Sequence, residues 1–387
     1  MAVTNTQANN VLIKFRKDIY REYVRENLFS PYMGQDQTAI IRVITDLDKG
    51  GKQGGEQINI PLIARLNAAG VGKGVLRGNE ESIDNYGQRM WIDWSRNAIV
   101  MDNAEEQRSS VDLFAEAKPM LSDWGKEKQR DEICDGLYAL PSTAAPAGLG
   151  SPAGQRVNGL LFDAATAAQR NTWITDNADR ILVGNSNTAN LSAGNFAASM
   201  LNVTPAMVIS GALVNRMKRS AKKADPRIRP FKLKENGTEW FVLFLGQEQF
   251  RDAQNDASIL AANQNSRARE NQGYLKNPIF VDGDLLYNGV IIREIPELST
   301  RAPVFYTTAG LGGTRIAPAF MCGQTAMAWC WGKMPTPTFL KEDDYQFLRG
   351  AGIKMAYGIG KVAKLSPANL FKEWGVFTGF FSATADA

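Results

Sequence analysis

The apolar positions of this chain change rhythm several times, and each change marks an element. Residues 2–10 are polar and read as unstructured. Leu12, Phe15, Ile19 and Tyr23 then recur at helical spacing among alternating charges, which predicts an amphipathic helix ending before Pro31. Its apolar stripe could face the chain's own core or a neighbouring chain; the spacing favours neither. In "EQINIPLIARL", Glu56–Leu66, the rhythm drops to two. Ile58, Ile60, Leu62, Ala64 and Leu66 alternate with mostly polar residues and predict a strand. Pro61 has no N–H to give a ladder, so this strand belongs at an edge. "QRMWIDWSRNAIVMD", Gln88–Asp102, alternates again and is expected to place Met90, Ile92, Trp94, Ala98 and Val100 on one face. The two segments predict a long hairpin with an irregular tip. A lone two-stranded ribbon is marginal in water and needs a surface to lie on.

Beyond the hairpin the period returns to that of a helix. Leu113, Ala117, Leu121 and Trp124 form a stripe that Ile133 and Leu137 continue. The predicted helix starts at Ser109, where Ser109 and Asp112 resemble a capping box. It runs to about Leu137 and is bent by Pro119 and Gly125. "PSTAAPAGLGSPAG", Pro141–Gly154, is a low-complexity loop and the clearest boundary signal. Thr204-Pro205 predicts a helix start with proline in the first turn, and Met207, Val208, Gly211, Ala212 and Val214 on one side. That helix ends in the basic run "RMKRSAKKADPRIRP". "EWFVLFLG" reads as a buried strand, "QEQFRDAQNDASILAANQ" as helical, and "NGVIIREIPEL" as a strand ending at a proline. "GIKMAYGIGKVAKL" and "EWGVFTGFFSATA" read as two late strands placed to pair.

Between the hairpin strands lies "NAAGVGKGVLRGNEE", Asn67–Glu81, whose glycines around one lysine invite a phosphate-binding reading. The motif arithmetic opposes it. A Walker loop needs Ser or Thr after the lysine and a glycine six residues before it. Here Lys73 is followed by Gly74, and the first position is Asn67. The dinucleotide fingerprint fails as well, because its third glycine position is Val75. "VLRGNEESIDNYG" does not open a helix, so the positive helix end that would hold an anion is missing. The run is expected to be a flexible tip.

Composition narrows the chemistry further. The chain of 387 residues contains no histidine, which excludes histidine-based nucleophilic triads and His-ligated metal sites. Cys134, Cys322 and Cys330 lack metal-binding spacing and read as reduced, buried thiols. The formal charge of +4 is small for this length. It permits contact with DNA without marking a dedicated binder. The run Arg216–Lys223, with Arg227 and Arg229, lacks interleaved aromatics and reads as a solvated helix end. Glu80-Glu81, Glu105-Glu106 and Asp343-Asp344 read as surface charge. No signal peptide or membrane span is evident, so a soluble protein made in the cytoplasm is expected.

The order of arm, helix, hairpin with glycine-rich tip, bent helix and mixed remainder resembles the major capsid proteins of tailed bacteriophages. The stretches that carry it are "GEQINIPLIARL", "GNEESIDNYGQRMWIDWSRNAIVMDNAEEQRSSVDLFAEAKPMLSDWGKEK", "EWFVLFLGQEQFRD" and "KNPIFVDGDLLYNGVIIREIPEL". Their text is similar to the N4-like major capsid family. The resemblance implies an α+β, Johnson-type phage capsid fold with an N-terminal arm (1–45), an extended hairpin loop (46–105) and a spine helix (106–140). A loop-rich segment, 141–200, read as a possible insertion, and an axial domain with the remaining peripheral strands (201–387) would follow.

The implied function is a non-enzymatic subunit, without cofactor or metal, that builds an icosahedral shell of hexamers and pentamers around double-stranded DNA. Phe15, Tyr20, Tyr23, Lys73, Arg77, Glu80 and Glu81 are the candidate subunit-interface residues. The resemblance also implies a separate scaffolding protein, since no long scaffolding segment precedes the arm. A portal protein, a decoration protein and non-specifically held packaged DNA are further implied partners; a membrane is not. An encapsulin-like compartment is the nearest alternative. A nucleotide-binding enzyme using Lys73 is the distant one. The expected location is the virion capsid, after synthesis in the host cytoplasm.

Overall fold

Two sheets share one core in the computed structural model, which describes residues 27–48, 56–109, 112–150, 155–192, 194–232, 239–270, 284–301, 309–340, 347–365 and 371–385. The predicted N-terminal helix lies outside these residues. The first sheet runs in the order Met33–Gly34, Ile41–Ile44, Met327–Phe339, Leu348–Lys361 and Asp93–Asp102, with Val157–Asn158 paired to Leu348–Lys361. The second runs Leu285–Tyr287, Val290–Glu294, Glu239–Leu245, Ile316–Cys322, Val376–Ser382 and Ile181–Val183, with Phe231–Lys232 against Glu239–Leu245.

The second sheet explains the uninterrupted apolar run of "WFVLFL". Val242 and Phe244 face the shared core, where Phe29 and Tyr32 meet Phe244 edge to face at 5.2 and 5.5 Å. Phe241, Leu243 and Leu245 face a second core, closed by Val214 and Met217 of the helix Gly211–Lys223 and by Phe250. A strand covered on both faces has no polar positions to alternate with.

The first sheet is covered differently on its two faces. The long helix Leu113–Tyr138 lies on one of them, with Ala117 and Leu121 packed around Ala351, Ile99 and Ile353. On the other, Ile60, Leu62, Met90 and Ile92 of the hairpin pack against Ala328, Cys330, Ala356 and Val362. The helix contains Pro119 as expected. Its N-cap, however, is Asp112, which accepts from the Ala115 N–H at 2.9 Å. A separate short helix, Asn103–Arg108, precedes it and is capped by Asp102, so Ser109 ends one helix and does not begin the next.

Other expectations change for identifiable reasons. The helix expected from Thr204 begins at Gly211, because the Asp256 carboxylate, distant in sequence, accepts from the Gly211 N–H at 3.1 Å. Asp256 also splits the helical stretch after Gly246 into Gln247–Asn255 and Ala257–Glu270. The two late strands pair only through short pieces, Ala363–Leu365 with Phe371–Glu373. Their longer bodies enter different sheets. Segment 141–200 supplies Val157–Asn158 to one sheet and Ile181–Val183 to the other. It also places Phe162, Trp173 and Met200 in the shared core, so it is woven into the fold.

Charged groups are buried at two places where these parts meet. Lys361 donates to the Glu373 carboxylate at 2.7 Å, and the Trp173 indole N–H donates to the same oxygen at 3.0 Å. The Arg180 guanidinium donates to the Glu373 carbonyl, and the Glu373 N–H donates to Asn177 at 2.9 Å. On the buried face of the long helix itself, Glu132 sits 3.2 Å from Lys128 and 3.8 Å from Arg156. Burial raises the Glu132 carboxyl above its ordinary range, against the pull of the Tyr357 hydroxyl, Lys128 and Arg156.

Lys361→Ala leaves the Glu373 carboxylate buried and unpaired. It is expected to destabilise the subunit by about 3–5 kcal/mol, measured by urea unfolding. The second expectation concerns pH. Folded, Glu132 takes up its proton at a higher pH than in the unfolded chain, so the ionised form costs stability at neutral pH. That cost fades as the pH falls through the folded-state value. Wild type should therefore gain stability relative to Glu132→Gln between neutral pH and 4.5, in paired urea titrations. A constant difference across that range would refute the assignment.

Candidate assembly surface

The hairpin pairs Gln57–Ile63 with Asn85–Trp91, antiparallel, from Gln57 opposite Trp91 to Ile63 opposite Asn85. Pro61 faces Gly87 in a ribbon with no third strand among the described residues, the edge placement its missing N–H requires. Ile60, Leu62 and Met90 turn toward the body as the alternation predicts.

The predicted face does not continue past Ile92. Asp93 and Ser95 are buried, whereas Trp94 and Val100 are about half exposed, at 49% and 56%. The chain leaves the hairpin ladder at Trp91 and joins the first sheet at Asp93, opposite Tyr357. Ile92 and Asp93 are both buried, so alternation loses one step and every later side chain changes face. Ile99 and Met101 consequently meet the long helix, and Ala98 and Val100 do not.

The tip, 64–84, contains no helix or strand. Its base closes where the Ala64 N–H donates to the Asp84 carbonyl at 3.0 Å. The Glu81 carboxylate accepts from the Asn67 and Ala68 N–H groups at 2.5 and 2.8 Å, and Glu80 accepts from Gly78 at 2.6 Å. Glu80 and Glu81 thus hold the tip's own backbone. Gly70 and Gly78 take positive φ, 78° and 90°, which lets the chain reverse. Lys73 and Arg77 are exposed, with no hydrogen bond or ion pair among the described residues. No helix N-terminus accompanies the glycines, in keeping with the failed phosphate-loop test. Phe15, Tyr20 and Tyr23 lie outside the described residues.

What the tip does offer is apolar. Ile63, Leu66, Val75, Leu76 and Ile83 are 60–74% exposed, a density of uncovered aliphatic side chains unusual for a folded surface. A cleft of about 460 Å³ opens beneath its base, between Arg65 and Glu81 on one side and Lys222, Arg227 and Arg229 on the other. An apolar groove of about 320 Å³ lies elsewhere, between the long helix and the far end of the first sheet. Phe114, Leu121, Pro335, Pro337, Phe339 and Ile353 line it. The sequence reading missed this groove. Its only trace is the "MPTPTF" stretch, Met334–Phe339, where prolines alternate within a strand.

The remaining candidates are structural. Cys134, Cys322 and Cys330 are buried. Burial pushes the Cys322 and Cys330 thiols up to about 12, far from nucleophilic. Within the basic run, Arg216 donates to the Asn185 carbonyl and Lys218 to the Asn288 carbonyl, so both serve their own chain. Glu105 pairs with Arg108 at 3.0 Å and Glu106 with Arg349 at 3.6 Å. Asp343 and Asp344 lie outside the described residues. Among the described residues no group of three or more cysteine and carboxylate side chains could hold a metal ion, and no helix is long and apolar enough to cross a membrane.

Comparison with known proteins points the same way. The family model described as "Phage capsid protein" matches residues 4–377. The capsid asymmetric unit of cyanophage Pam1 is 30% identical with a TM-score of 0.84, and each chain is covered over 100% of its length. The capsid of Ralstonia phage GP4 is 16% identical with a TM-score of 0.72, covering 100% of this chain and 99% of that one. The head structure of Helicobacter pylori bacteriophage KHP40 is 12% identical with a TM-score of 0.62, covering 98% of each chain. No curated protein sequence matches the chain.

Proposed function

The chain belongs to the phage capsid protein family, and from that premise we propose how its surfaces join one copy to the next. The protein is a structural major capsid protein with the α+β capsid fold, and copies of it assemble into the virion shell. It is not an enzyme.

In the proposed arrangement the extended hairpin loop of one subunit crosses to its neighbour. The observation that carries this is the run of exposed aliphatic side chains from Ile63 to Ile83, which nothing among the described residues covers. The groove lined by Phe114, Pro335 and Phe339 is the matching uncovered surface. Different patches meet, so the contact is head to tail and closes rings, hexamers and pentamers. Lys73 and Arg77 make charge contacts across that boundary. Glu80 and Glu81 contribute by keeping the tip in shape. Phe15, Tyr20 and Tyr23 of the N-terminal arm add further contacts.

The division into arm, extended loop, spine helix, axial and peripheral parts is proposed with the boundaries given above, except that 141–200 belongs to the body. A separate scaffolding protein, a portal protein and a decoration protein complete the proposed set of partners. The modest positive charge suits an inner face near packaged double-stranded DNA, held without sequence preference. Subunits are proposed to reside in the host cytoplasm before assembly.

Deleting Ala68–Gly78 is expected to preserve the subunit's far-ultraviolet circular dichroism and thermal transition while abolishing shells in electron micrographs. Unfolding of the shortened chain would place the tip in the core and sink the proposal. Phe339 is 63% exposed, so Phe339→Glu should behave the same way: a folded subunit whose charged groove no longer accepts a neighbour. Shells of normal yield from this variant would remove the groove from the interface.

A further inference from the structure

We infer that Asn158 and Gln88 form a two-point latch that fixes the angle at which the extended hairpin leaves the subunit body, and through it the curvature of the shell. The inference rests on the proposed role of the hairpin as an intersubunit contact.

The hairpin root lies across the end of the strand Leu348–Lys361, over the sequence Gly358-Ile359-Gly360. Close approach here demands glycine. A Cβ on Gly358 would come within 1.9 Å of the Trp91 carbonyl oxygen, and one on Gly360 within 2.9 Å of the Asn158 Cβ and 3.4 Å of the Met90 sulfur. The two glycines make a saddle into which the crossing chain settles.

Two side-chain amides then pin the root. Asn158 accepts from the Trp91 N–H at 2.7 Å and donates to the Trp91 carbonyl at 3.0 Å, so its amide imitates a neighbouring strand. Its own backbone is registered beside Gly360, and it is buried. Gln88 repeats the arrangement from the other direction. It donates to the Lys361 carbonyl at 2.7 Å and accepts from the Ala363 N–H at 2.7 Å. Both amides reach backbone at the ends of ladders: Trp91 is the last paired residue of the hairpin, Lys361 the last of the long strand, and Ala363 the first of the next short pair.

Apolar contacts alone would not define an angle. Ile60, Leu62, Met90 and Ile92 hold the root down, but such contacts are non-directional and tolerate sliding. Bidentate hydrogen bonds are directional. Trp91 and Gln88 are three residues apart, about 10 Å along a strand, and two separated directional points fix an orientation. Each pair also needs a group that donates and accepts at once. A neutral amide does this and a carboxylate cannot. With the latch open, the hairpin is free to pivot about Ile92, where it exchanges one ladder for the other.

The test uses the full chain as wild type, Asn158→Leu and Gln88→Leu, which can neither accept from the Trp91 or Ala363 N–H nor donate to the facing carbonyl, and, should Asn158→Leu fail to fold, the milder half-buried Gln88→Ala. Amide hydrogen exchange of the unassembled subunit is read first. Peptides containing Trp91 and Ala363 should exchange about tenfold faster in the variants, with Glu239–Leu245 unchanged. Cryo-electron microscopy of assembled particles is read second, and the variants should give a broadened distribution of diameters where wild type gives one size. Unchanged exchange at both peptides overturns the latch. Faster exchange with a single wild-type diameter overturns its control of curvature. Failure of wild type itself to assemble refutes the shell contact and leaves the exchange measurement to decide the latch.

Discussion

A lysine with 3% exposure inside an apolar core is tolerable only beside a carboxylate, and the subunit is organised around that requirement at Lys361. Its partner Glu373 is reached by the next strand passage, where the chain leaves the first sheet for the second. Trp173, Asn177 and Arg180, from the segment before Ile181–Val183, complete the polar shell around Glu373. Three separate stretches of chain therefore have to meet at one point. With every buried charge paired or hydrogen-bonded, the junction has one good geometry, and the two sheets are set against each other as a single rigid body. The hairpin and the long helix are mounted on opposite faces of that body.

Much of this was legible in the sequence. The period-two alternation through Ile60 and Leu62, the edge position of Pro61 and the long helix through Pro119 follow from local rules that the structure obeys. So does the irregular tip, since residues 64–84 contain no helix or strand. The errors share one cause, a long-range partner that spacing cannot reveal. Asp256 starts a helix forty-five residues earlier by accepting from Gly211. Tyr357 and its neighbours capture the strand after Ile92 and reverse its faces. The late strands part because the two sheets claim one each. Asn158 and Gln88 were invisible for the same reason, since an amide in a sequence gives no sign of the backbone it will clamp.

The rigid body and the open tip divide the work of a shell protein between them. Inside the body, the buried Lys361 and Glu373 face inward beside a fixed partner. In the tip, polar groups such as Glu80 and Glu81 turn back on their own backbone, and the aliphatic side chains are left outside. That inversion is costly for a monomer and sensible for a part whose core is supplied by the next copy.

The magnitudes fit a collective assembly. Covering Ile63, Leu66, Val75, Leu76 and Ile83 on a neighbour would contribute on the order of 10 kcal/mol, at roughly 1.5–3 kcal/mol per buried aliphatic side chain. Bringing two subunits together costs about 4–15 kcal/mol in lost freedom. The two terms are of similar size, so a single tip contact is marginal and a pair of subunits held by it alone would come apart readily. In the proposed closed ring each subunit would give one such contact and receive another, and ring closure would add a contact without adding a subunit. Weak individual contacts of this kind let misplaced subunits leave before closure. On the proposed arrangement, a fixed hairpin angle would be what makes the correct ring the one that closes.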